Sequence, residues 1–150
     1  MRLTYLGHAA FELALGDGRR IVFDPYEPGA YDGALAFLPI GGRYDIAVIS
    51  HDHADHRSAA VVEAAGAVVD AAGEVEIDGV RIVSHATWHD ESSGGERGAN
   101  LVSIVEAEGL RIAHLGDLGH PLDLDEMPAL RGVDREMAAD GDEHDVDAAQ

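Results

Sequence analysis

The chain has no cysteine and no lysine, only five prolines in 150 residues, and just 5% aromatic side chains. The absence of cysteine excludes a disulfide scaffold and any thiolate zinc site. All ten basic residues are arginine, set against 29 acidic residues for a net charge of −19. A field this negative opposes binding to DNA, RNA or an anionic membrane surface at low salt. No run of about 18 apolar residues occurs, so no membrane-spanning helix is expected. Residues Met1 to Ala10 lack the basic-then-apolar layout of a secretory signal, and a cytoplasmic location is expected.

What is present is a foldable chain. Apolar residues make up 46%, enough for a core and too many for a disordered polymer. The length suits one domain, or part of one. The acidity is spread along the chain, with seven acids and one arginine in residues 134–150. A surplus of carboxylates fits a protein kept soluble in a salt-rich cytosol. A GC-rich genome would explain arginine in place of lysine, but not the excess of acids.

Short β-like runs dominate the first half. Arg2–Gly7 and Phe11–Leu15 flank a His-Ala-Ala turn, and Gly16-Asp17-Gly18 leads into a strand at Arg20–Phe23 that ends at Asp24-Pro25. Residues 25–43, rich in proline and glycine, read as a long irregular loop. Asp45–Ser50 reads as a strand buried on both faces, and Ser58–Ala65 as a helix closed by Gly66. Further strands are expected at Ala67–Asp70, in a hairpin around Asp78-Gly79, and in another, Leu101–Glu106 with Leu110–Leu115, around Glu108-Gly109. This order favours stacked sheets with helices outside. Residues 134–150 hold only Met137 and Val146 as large apolar side chains, too few to offset the entropy of ordering. A disordered acidic tail is expected there.

The chemistry concentrates in Ser50-His51-Asp52-His53-Ala54-Asp55-His56, directly after an apolar strand. Imidazole nitrogen and carboxylate oxygen suit zinc, and also manganese or iron. In a tight loop His51 and His53 can share one metal, with Asp55 and His56 facing a second position. Val83 to Asp90 offers a further imidazole at His85 or His89, and Ala113 to His120 offers His114, Asp117 and His120. Asp117 lies just past a strand between glycines that let the backbone approach closely. His8 stands in the first hairpin turn, either near the metals or as a hydrogen-bonded turn histidine. Asp24 is a strand-end carboxylate, and His120 either lines the mouth of the site or only precedes Pro121.

These residues carry a resemblance. The sequence resembles the metallo-β-lactamase superfamily, in particular its small single-domain, ascorbate-phosphate-lactonase-like branch of metal-dependent hydrolases. The family's H-x-H-x-D-H signature is matched by His51, His53, Asp55 and His56. Tyr5 to Phe11 is similar to that branch's first hairpin, Ile21 to Pro25 to its next strand, Ala86 to His89 to the segment bearing the third histidine, and His114 to Asp117 to the segment whose aspartate bridges the metals. The resemblance implies an α/β fold, a four-layer αββα sandwich with the metals at one edge of the sheets. It implies His51, His53 and His89 on a first metal, and Asp55, His56 and Asp117 on a second, with Asp117 shared and Asp24 supporting the metal loop from behind. It implies a hydrolase acting on an ester, lactone, amide or phosphodiester of a small-molecule substrate, with Asp55 in the catalytic machinery and one or two ions of zinc, manganese or iron. Family members that use two irons for redox chemistry tend to replace the second histidine of the signature by glutamate, whereas His53 is present here.

The resemblance runs over residues 1–133 and then stops. Family members continue with strand, glycine-rich turn, helix and a final histidine ligand, where this chain reads Arg135-Glu136-Met137-Ala138-Ala139-Asp140. His144 has surroundings that do not match that ligand. The expected domains are a partial sandwich at 1–133 and an acidic tail at 134–150, as from a truncated or frameshifted reading frame or a decayed domain. An incomplete second sheet is expected to leave an open edge, which a second copy of the chain would cover. A metal-binding remnant without catalysis, or an acidic interaction module, are the alternatives to a working hydrolase.

Overall fold

The computed structural model describes residues 1–138. Their alternating apolar pattern builds two five-stranded sheets packed face to face. The first sheet lays β1 (Arg2–Gly7), β2 (Ala10–Ala14), β3 (Arg20–Phe23), β4 (Ile46–Val48) and β5 (Ala67–Val69) side by side in chain order. β1 to β3 are antiparallel, while β3, β4 and β5 are parallel. In the second, β6 (Gly73–Ile77), β7 (Val80–Trp88), β8 (Ala99–Ala107) and β9 (Leu110–His114) form an antiparallel meander, and β10 (Arg135–Met137) runs parallel to β9.

Local chemistry explains the hairpins. The β6–β7 connection is Asp78 (φ 49) and Gly79 (φ 79), and the β8–β9 connection is Glu108 (φ 52) and Gly109 (φ 77). Positive φ at both positions is the two-residue turn whose twist matches paired strands. The core lies between the sheets, where Leu13, Ile21, Phe23, Ile46 and Val48 meet Val80, Ile82, Val105, Ile112 and Met137. β4 is buried on both faces as its composition predicts. Ala47 and Ile49 pack outward against Val61 and Val62 of α2 (Ala59–Ala64). Among the described residues, no α-helix covers the outer face of the second sheet. Met127 and Leu130, around a 3-10 turn at Pro128–Leu130, lie on Val102, Ile104 and Ala113. Among the described residues this is a two-sheet sandwich with thin outer layers.

Two expectations need correction. The loop after β3 contains one distorted turn, α1 (Ala30–Gly33), in which Tyr31 (φ 55) and Asp32 (φ 56) are left-handed. The tail boundary at 134 is too early. Asp134 accepts a hydrogen bond from the Arg111 amide and its own amide donates to the Arg111 carbonyl, each at 2.8 Å. Residues 135–137 then pair with β9, and Met137 is buried against the core. One apolar side chain suffices because the edge of β9 is already in place and supplies the backbone partners. The far edge of β9 is therefore paired within the chain, and β10 and β6 are the outer strands of the second sheet. The rest of the expected tail, with His144 and Val146, lies outside the described residues.

Candidate metal centre

The candidate residues gather at one rim of the sandwich because their strands all end or turn there. His8 follows β1, Asp24 follows β3, the His-rich loop follows β4, His89 follows β7 and Asp117 lies beyond β9. The two sheets are stitched together at this rim by the Leu101 amide, which donates to the Ser50 carbonyl at 2.8 Å.

His51, His53 and His89 each bring a ring nitrogen within 4.8 Å of the others. Their ring centroids stand 4.5 Å (His51–His53), 4.9 Å (His51–His89) and 5.5 Å (His53–His89) apart. His51, His56 and Asp117 form a second such group, and His8, Asp55 and His56 a third. Asp117 joins them, its Oδ2 lying 3.0 Å from His89 Nε2 and 3.2 Å from His56 Nε2. His56 Nε2 is also 3.6 Å from Asp55 Oδ2, which is 3.0 Å from His8 Nε2.

The donor atoms fit a cation. His51 Nε2, His56 Nε2 and Asp117 Oδ1 are buried and make no hydrogen bond. An unsatisfied buried polar atom costs about 1–3 kcal/mol, so three converging ones call for a common partner. Zinc bonds of about 2.0–2.1 Å in a tetrahedron place neighbouring donors about 3.3 Å apart. The 3.0, 3.2 and 3.6 Å separations at His8, Asp117 and Asp55 bracket that value.

Behind these donors stands Asp24, fully buried and left-handed at φ 41. Its Oδ1 accepts from the Ser50 amide at 2.7 Å. Its Oδ2 accepts from Ser50 Oγ at 2.5 Å, His56 Nδ1 at 2.8 Å and His114 Nε2 at 2.7 Å. Ser50 has a single hydroxyl proton and gives it to Asp24, so His51 Nδ1, 2.9 Å from Ser50 Oγ, is the donor in that contact. Asp24 thereby turns His56 directly, and His51 through Ser50, so that each presents Nε2 to the rim.

Charge follows the same geometry. Burial alone would raise the Asp24 carboxyl, but the charge and hydrogen bond of His114, joined by His56, hold it well below the ordinary carboxylate range. Burial opposes a charged His56, yet the carboxylates of Asp117 and Asp24 beside it push it up to about 10. Burial, and then the neighbouring His56, lower His51 to about 4. Burial works against the charge of Asp55 and Asp117 too. The Tyr31 hydroxyl and His56 outweigh it at Asp55, and His56 outweighs it at Asp117, so both are lowered.

Two glycines let Asp117 reach this place. A Cβ on Gly116 would strike the Asn100 side chain and Ser50, and one on Gly119 would strike the His89 backbone. His85 lies on β7 opposite Val102 and belongs to none of the three groups. His120 accepts from the Trp88 amide at 3.3 Å and bonds the Pro121 carbonyl at 2.9 Å, which ties the segment after Asp117 to the end of β7.

Several contributors carry no sequence signal of their own. Asn100 is fully buried. Its Oδ1 accepts from the Asp117 amide at 3.1 Å, and its Nδ2 donates to Thr87 Oγ1 and the Leu115 carbonyl, each at 2.9 Å. Tyr31 donates from its hydroxyl to Asp55 Oδ1 at 2.8 Å out of the long loop. Ser50 could have been suspected from its place before the motif, and His114 from its strand end, but their partner is distant in sequence.

A two-sheet sandwich carrying a histidine–carboxylate cluster at its rim defines a class of protein. The chain belongs to the metallo-β-lactamase superfamily: the family described as the beta-lactamase superfamily domain matches residues 2–141. More narrowly, it is similar to UPF0173 metal-dependent hydrolases. With the one from Thermococcus onnurineus it shares 31% identity over 78% of this chain and 61% of the relative. With that from Methanoculleus marisnigri it shares 33% over 78% and 58%. Among solved structures it resembles one described as a Zn-dependent hydrolase of the metallo-β-lactamase superfamily from Thermotoga maritima. There the TM-score is 0.66 and the identity 30%, over 89% of this chain and 58% of that one. The chain thus spans about three fifths of the length of these relatives.

Proposed function

We propose that the protein is a metal-dependent hydrolase that attacks an ester, lactone, amide or phosphodiester bond of a small molecule with a metal-activated water. The observation that supports it most directly is the set of buried atoms without a hydrogen bond, His51 Nε2, His56 Nε2 and Asp117 Oδ1, facing one rim. Zinc suits the donor set best, with manganese or iron as alternatives, because it is all nitrogen and oxygen. His51, His53 and His89 would hold one ion; Asp55 and His56 would hold a second; Asp117 would be shared. Ions so held supply a water that ionises near neutral pH and neutralise charge building on the scissile group.

The chain's own residues do the rest. Asp24 and Ser50 keep the imidazoles turned with Nε2 outward. Tyr31 fixes Oδ1 of Asp55, so that Oδ2 faces His8 and His56 at the second position. Asn100 and Gly116 hold the backbone of Asp117 in place.

The test is metal content per chain by elemental analysis, with hydrolysis of chromogenic esters and phosphodiesters before and after chelation. Metal retention and chelator-sensitive turnover, cut at least ~100-fold by Asp55→Ala, are expected. A chain that takes up no metal, or turnover indifferent to chelation and to loss of His51 and His53, would overturn the reading.

A further inference from the structure

We infer that His8, in the first hairpin turn, is itself a metal ligand that completes the second position together with Asp55, His56 and Asp117. The inference rests on the metal reading above and extends it to a residue outside the H-x-H-x-D-H loop.

His8 occupies a two-residue turn between β1 and β2, after a register break in which Gly7 pairs with Ala10. Its φ of 52 is left-handed, and Gly7 before it has φ 119. The turn itself accounts for this backbone, as it does at Asp78 and Glu108, but not for where the ring goes. A histidine serving only its turn would bond within the turn. Instead the ring reaches a residue 47 positions away, with Nε2 3.0 Å from Asp55 Oδ2. The ring also stands edge-on to that of His56, centroids 5.2 Å apart.

The three donor atoms of His8, Asp55 and His56 lie within 4.8 Å of one another, the same criterion met by His51, His53 and His89. Around this position the donors run His8 Nε2, Asp55 Oδ2, His56 Nε2 and Asp117 Oδ2, with successive separations of 3.0, 3.6 and 3.2 Å. The His8–Asp55 and Asp55–His56 spacings lie near the edge, about 3.3 Å, of a coordination tetrahedron with bonds of about 2.0–2.1 Å. Asp117 groups with His51 and His56 and meets this position through His56. The His56 atom is buried without a hydrogen bond, and the Asp117 carboxylate has a second buried oxygen in the same state. Donors of two types from three separate chain segments, the β1–β2 turn, the loop after β4 and the segment beyond β9, meet here.

The rival explanation is that His8 only orients Asp55 through a hydrogen bond. His8→Gln separates the two, because glutamine keeps a donor nitrogen near the same place and loses the imidazole. Wild-type chain and variant are titrated with Zn²⁺ after chelator treatment, following stoichiometry and affinity, and ring ¹⁵N shifts of the histidines are recorded in the loaded protein. The expected result is two ions in the wild type. In the variant the first ion is retained, which also shows that it folds. The second site weakens by more than the ~10–100-fold seen when only an orienting partner is lost, and His8 Nε2 in the loaded wild type is unprotonated with a metal-bound shift.

Two ions bound equally well by His8→Gln, or a protonated His8 Nε2 in the loaded protein, would overturn the inference and leave the metal reading standing. A wild type that binds one ion would do the same. A wild type that binds none would overturn both.

Discussion

Replacing Asp24 by asparagine is the sharpest perturbation of this rim that leaves side-chain volume unchanged. Three donors converge on Oδ2 of Asp24, from Ser50, His56 and His114, and a fourth reaches Oδ1 from the Ser50 amide. An amide offers one oxygen. In either orientation its NH₂ faces a donor, and the negative charge that offsets His56 inside the protein is gone. Removing one partner of a buried charged pair costs about 3–5 kcal/mol. Total stability is on the order of 5–15 kcal/mol for a domain of this kind, so a large share is at stake. At roughly 3–4 °C per kcal/mol for a chain of this size, the chelated variant should melt about 9–20 °C lower.

A second effect is separable from the first. His51 and His56 lose the acceptor that turns Nε2 toward the rim, so metal affinity should fall ~10–100-fold even where the variant is folded. Calorimetric melting of the chelated protein and Zn²⁺ titration at a temperature where both proteins are native measure the two. A melting temperature within about 2 °C of the parent, with unchanged affinity, would refute the assignment of Asp24 as the buried hub of the rim, since each bond is charge-assisted and should be felt.

Asn100→Ala removes the acceptor of the Asp117 amide and the donor to Thr87 and Leu115; a loss of about 1–3 kcal/mol is expected on denaturant titration, with weaker metal binding from a displaced Asp117. Gly119→Ala drives a methyl group into the His89 backbone and should cost about 1–3 kcal/mol while displacing His89, seen as a weaker metal site at His51, His53 and His89. His56 is raised to about 10 from an ordinary value of 6.5, so its contribution to the chelated protein is full below the ordinary value and lost as pH rises through about 10. The chelated melting temperature should therefore fall across that window, and Zn²⁺ binding at neutral pH should release a proton, read from calorimetry in buffers of different ionisation enthalpy.

Much of the fold was readable because its signals are local. The turns at Asp78-Gly79 and Glu108-Gly109 are short-range backbone chemistry, and β4 declares itself by an unbroken apolar run. The miss at β10 has the opposite cause. Residues 135–137 have no strand signal of their own and pair because β9 offers an edge and the core has room for Met137. The covering of the second sheet by Met127 and Leu130 was likewise unreadable, since that segment has no helical or strand period.

By itself, the sequence determined which residue types this protein has for chemistry: imidazoles and carboxylates crowded after one strand, no thiolate, and an acidic surface. Ligand type and loop spacing are properties of a short stretch of chain, and they survive without knowledge of the rest. Only the tertiary structure decided how those groups act together. It put Asp117 within 3.2 Å of both His56 and His89, turned His51 and His56 with Asp24 and Ser50, held Asp117 with Asn100, and brought His8 to Asp55. Each of these contacts joins segments distant in sequence at a common rim. Their partners were therefore set by sheet order and strand ends, which no local pattern records.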